Sequence, residues 1–103
     1  MEIRRTERYL RFRDGVLTGD EAESLRAQAK NIVNQGGQGY QEFRIVLAKR
    51  IFVAYAYVSP VLDMLAWLGG HLERPGEPMP DFLKEVKDEV RLIQQEENRA
   101  NKN

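Results

Sequence analysis

Few side chains in this sequence are placed to do chemistry, and their types limit what that chemistry could be. His71 is the only histidine and cysteine is absent. Neither a histidine metal triad nor an HExxH site can therefore be built within one chain, and thiolate catalysis and cysteine zinc sites are excluded with them. Ser24 and Ser59 suggest no serine–histidine–acid arrangement. The carboxylate pairs Asp88-Glu89 and Glu96-Glu97 fall in a charged, helix-forming run, which reads as a solvated face. Asp63 is the one acid in apolar surroundings, between Leu62 and Met64. Burial there would raise a carboxyl pKa, but no second catalytic group stands near it. Gly36, Gly37 and Gly39 form a glycine-rich stretch without the following Lys-Ser/Thr, or the preceding strand, of a phosphate-cradling loop. They are expected to connect two helices. No catalytic residue, metal or cofactor is assigned, and the chain is expected not to be an enzyme.

The basic N-terminus carries the second chemistry. Residues 1–13 hold five arginines against two glutamates, whereas residues 73–99 hold eight acids against five bases. On a helix, Arg4, Arg8 and Arg11 would line one face with Arg5 beside them, a row able to neutralise phosphates, with Tyr9 and Phe12 placed to stack on bases. Helices over 2–13 and 19–34 would then resemble a helix–turn–helix arrangement. Two features oppose nucleic-acid binding. The second helix would begin Gly-Asp-Glu-Ala-Glu, an acidic end repelled from a major groove, and the formal net charge is zero. The same arginines could instead pair with the acidic C-terminal segment or an acidic partner.

The elements that must position these groups are read from periodicity and caps. Thr18 and Glu21 form a capping box, Leu25, Ala29, Ile32 and Val33 make an apolar stripe, and glycines follow, which predicts a helix over 19–34. Tyr40, Phe43, Leu47, Ile51, Ala54 and Val58 recur at helical spacing and predict a second helix over 39–58. Ser59-Pro60 reads as the cap and first residue of a third segment, 60–69, ended by Gly69-Gly70. Residues 73–80 hold three prolines and a glycine and form a stiff connector. Phe82, Val86, Val90 and Ile93 predict an amphipathic helix over 80–97. Residues 1–17 fit either a short helix stopped at Asp14-Gly15 or a hairpin turning there.

At 103 residues, 42% hydrophobic and 31% charged, the chain is expected to fold as one domain. The N-terminus lacks the apolar run of a signal peptide, and the absence of cysteine fits a reducing compartment; a cytoplasmic location is expected. Residues 51–70 are apolar over the length of a membrane span. Their strongly apolar side chains contribute roughly −4 kcal/mol to insertion and Asp63 returns about +3, before Pro60, the glycines and the tyrosines are counted. A span is thus the weaker account. The expected fold is all-α, or mainly α with a short N-terminal hairpin: a small bundle of about four helices around the central apolar pair. A helix apolar on every side needs cover on every side, and Phe52, Tyr55, Tyr57 and Trp67 are the aromatic residues expected at a protein interface. The expected function is a small non-enzymatic interaction or assembly protein: a regulator, inhibitor or accessory subunit, oligomeric with itself or bound to a larger protein. A nucleic-acid-binding regulator and a single-span membrane accessory protein are the alternatives.

Overall fold

The computed structural model describes residues 1–47 and 49–101. In chain order the elements are β1 (Glu2–Arg5), α1 (Glu7–Gly15), α2 (Gly19–Asn34), β2 (Gly39–Leu47), β3 (Arg50–Ser59), β4 (Met64–Glu73) and α3 (Leu83–Ala100). The strands form one sheet in the order β1-β4-β3-β2, with β1 parallel to β4 and the other neighbours antiparallel. One core packs α1 and α2 on one face of the sheet, and a second packs α3 on the other. The all-α bundle is therefore incorrect: this is an α+β fold around a mixed four-stranded sheet.

The central helices expected over 39–58 and 60–69 are instead the antiparallel strands β2, β3 and β4. The reason is that β3 and much of β4 are covered on both faces. Phe52, Ala54, Ala56 and Val58 face α1 and α2, while Tyr55 and Tyr57 join the core under α3. A strand buried on both sides is apolar at consecutive positions, so its period of two vanishes from the sequence. What remains is an apolar run rich in β-branched and aromatic residues, which favours strand. Residues 51–70 are thus two strands and a turn. Among the described residues no helix is long and apolar enough to cross a membrane.

The turn itself explains why Ser59-Pro60 resembles a helix start. Ser59 Oγ accepts from the Leu62 N–H at 3.1 Å, as an N-cap would, and the Asp63 N–H donates to the Pro60 carbonyl at 3.2 Å. The chain makes one turn and then leaves it, because Asp63 takes a positive φ of 48° and Met64 enters β4. Gly69 and Gly70 likewise do not end a helix. Tyr55 pairs with Gly69 and Ala56 with Trp67, leaving Leu68 as the extra residue of a β-bulge. The Thr6 hydroxyl donates to the Leu68 carbonyl at 3.0 Å and its oxygen caps α1 by accepting from the Tyr9 N–H at 3.2 Å. One side chain therefore joins the bulge to the start of α1. Thr6 also separates β1 from α1, so residues 1–17 are neither one helix nor a hairpin but a parallel edge strand followed by a helix.

α2 begins at the complete Thr18–Glu21 capping box. α3 begins at Leu83 rather than near 80. It is anchored near its far end, where Glu97 accepts from the Tyr57 hydroxyl at 2.6 Å and from Ser59 Oγ at 2.7 Å.

Candidate functional site

The four aromatic residues expected at an interface are covered by the chain's own layers. Phe52, Tyr55, Tyr57 and Trp67 are 0%, 1%, 5% and 3% exposed. Phe52 and Trp67 lie under α1 and α2, and Tyr55 and Tyr57 under α3. Trp67 stacks on Tyr9 with ring centroids 4.8 Å apart. Tyr55 donates to, or accepts from, His71 Nε2 at 2.8 Å and packs edge-on to Phe82. His71 is therefore a strand residue in an aromatic cluster. Burial pushes the Tyr55 phenol up to about 12, with the charges of Glu42 and Glu73 adding to the shift.

The four arginines are dispersed. Arg4 leaves β1 toward α3 and binds Glu96 at 3.2 Å as well as Glu2 at 2.9 Å. Arg8, from α1, reaches Glu85 at 3.0 Å and also pairs with Glu89. Arg11 meets Glu7 one turn back in solvent. Arg5 points the other way, lining a cleft beside α2. The break between strand and helix at Thr6 prevents a continuous row, and α3 supplies acids to two of its members. Among the described residues no three His, Asp or Glu side chains come together to hold a metal ion.

A surface that the sequence reading missed is the outer edge of β2. The two edge strands differ. β1 has four residues, three of them charged and all exposed, as protected edges commonly are. β2 has nine residues, with no proline, no lysine and no described bulge. Its inward side chains Phe43 and Ile45 are buried against the helical layer. By alternation Tyr40, Glu42, Arg44 and Val46 share the opposite face. There Tyr40 is 42% and Val46 65% exposed. Tyr40 is held in place: its ring stacks on Tyr55 at 6.2 Å and its hydroxyl donates to Glu42 at 3.1 Å. Burial raises its pKa, with Glu42 contributing. Arg44 binds Glu73 at 2.6 Å.

This edge is self-complementary. Pair β2 antiparallel with a second β2 about a two-fold axis at Phe43, and Glu42 stands opposite Arg44, twice, while Tyr40 stands opposite Val46, twice. Opposite-charge and aromatic–β-branched pairs are both favourable cross-strand neighbours, at roughly 0.2–1 kcal/mol each. The signal was present in the sequence as Y-x-E-x-R-x-V, but it has meaning only once the segment is known to be an edge strand. No family model matches the chain, and no curated protein is similar enough to count as a relative.

Proposed function

We propose that this protein is a small non-enzymatic assembly protein that associates with a second copy of itself through β2, forming one continuous eight-stranded sheet. The observation that carries the proposal is the symmetric match of Tyr40, Glu42, Arg44 and Val46 along a long, unprotected edge. Such edges pair readily with another strand, and a two-fold contact requires a self-complementary patch. The dimer acts as a regulator or accessory subunit acts, by occupying a surface, and the lack of cysteine supports a cytoplasmic setting. Nucleic-acid binding by the N-terminal arginines has less support, because Arg4 and Arg8 already face acids of α3.

The test uses charge reversal at the paired positions. Glu42→Arg alone and Arg44→Glu alone each place like charges opposite one another twice, and each is expected to weaken the dimer at least tenfold in sedimentation equilibrium. Mixing the two variants restores opposite charges at both pairs, so a heterodimer of near-native affinity is expected. Single variants that dimerise like the native chain, or a mixture that stays monomeric, would overturn the proposal.

A further inference from the structure

We infer that the cleft between β1, α1 and α2 binds a small amphipathic organic phosphate: a phosphate head carried on a short apolar tail. The cleft has two halves that meet at Trp67. One half, of about 410 Å³, is lined by Arg5, Arg13 and Arg26. The other, of about 210 Å³, is lined mainly by apolar side chains, Met1, Ile3, Ala29, Val33 and Leu65, together with Lys30. Arg5, Arg26 and Trp67 belong to both halves. An anion in the first half with an apolar group in the second would satisfy both linings, and the shared residues place the junction between them.

Charge balance supports the anion. Three arginines line the first half against one acid, Asp14, which binds Arg13 at 2.9 Å. Arg26 is bound only to Glu23 of its own helix, at 2.7 Å, and its side chain is 63% exposed, so it is free to turn inward. Arg5 has no ion-pair partner among the described residues. This concentration of cations occurs in a chain whose formal charge is zero. Burial raises the pKa of Tyr9, and the charges of Arg13, Arg5 and Arg26 each oppose that shift. Planar guanidinium forks suit phosphate oxygens, and several together suit a dianion.

The geometry also selects a small ligand over a nucleic-acid strand. Tyr9 and Trp67 stack on each other and are 2% and 3% exposed, so neither offers a free face to a base. The α2 N-terminus is closed by its capping box, so the arginines, not the helix end, hold the head group.

Trp67 is the only tryptophan, and its fluorescence reports on the junction directly. The full chain is titrated with hexyl phosphate, inorganic phosphate and hexanol. Hexyl phosphate is expected to saturate with a Kd at least tenfold below that of either fragment. Arg26→Gln, on an exposed helix surface, and Arg5→Gln are each expected to weaken hexyl phosphate about tenfold; Arg74→Gln, remote from the cleft, leaves the Kd unchanged. Circular dichroism establishes that each variant is folded. Inorganic phosphate binding as tightly as hexyl phosphate, hexanol binding as tightly, or an unchanged Kd in folded Arg26→Gln would overturn the inference.

Discussion

Gly70 shows how closely single residues are fitted. A Cβ at this position would lie 2.4 Å from a Phe12 ring carbon, so Gly70→Ala forces the ring or the strand to move. Overpacking of this kind costs about 1–3 kcal/mol, read as a lowered urea midpoint. In a Phe12→Leu background the alanine should cost much less; an equal penalty in both backgrounds would contradict the contact. The ion pairs separate by burial in the same way. Arg8 and Glu89 are 24% and 30% exposed, whereas Arg11 and Glu7 are 75% and 80% exposed. Glu89→Gln is expected to destabilise by about 1 kcal/mol and Arg11→Gln by less than about 0.5 kcal/mol in the same assay. In sequence both glycines of Gly69-Gly70 looked like a helix stop. The rings that pack over them, Phe12 and Phe82, belong to segments outside the strand, so their purpose was not legible.

Elements with local signals were legible, and those defined by distant partners were not. Thr18 and Glu21 mark the start of α2 because a capping box is complete within four residues. Phe82, Val86, Val90 and Ile93 mark α3 because its single apolar stripe faces one sheet. β3 and β4 carry no such mark: burial on both faces removed the alternation, and the cap-like chemistry of Ser59 belongs to a turn that ends at Asp63. The same corner holds α3 through Glu97. Removing that carboxylate with Glu97→Ala leaves the Tyr57 and Ser59 hydroxyls without their acceptor and is expected to cost about 1–3 kcal/mol.

The corner also contributes to the loss of stability at alkaline pH, as the similarly shifted Tyr55 does. Burial, then the Glu97 hydrogen bond and charge, push Tyr57 from its ordinary value of 10.0 up to about 12. Between those values the folded state holds a proton that the unfolded state has lost, so the contribution is complete below pH 10 and declines as pH rises toward 12. Tyr57→Phe should flatten the fall in unfolding free energy over that window. A slope identical to that of the native chain would show that Tyr57 is not its source.

At the scale of the molecule, the chain solves the problem that its apolar centre poses without needing a partner over that centre. Two helical layers cover the centre of the sheet on both faces, and what remains open is the outer edge of β2 with the adjoining Tyr40 and Val46. The Tyr40–Val46 pattern was visible in the sequence but was absorbed into a helical stripe, because Tyr40 and Phe43 also suit a helix. Edge status depends on strand order, which no local pattern records.

Hydrogen exchange along β2 as a function of protein concentration distinguishes a paired β2 edge from a free one. Every second amide of β2 points away from β3. If two copies pair through this edge, those amides gain protection between residues 40 and 46 as concentration rises through the dimer Kd, while the β1 amides do not change. Outward amides of β2 that exchange equally fast at every concentration, in a chain that sediments at 12.0 kDa throughout, would contradict it.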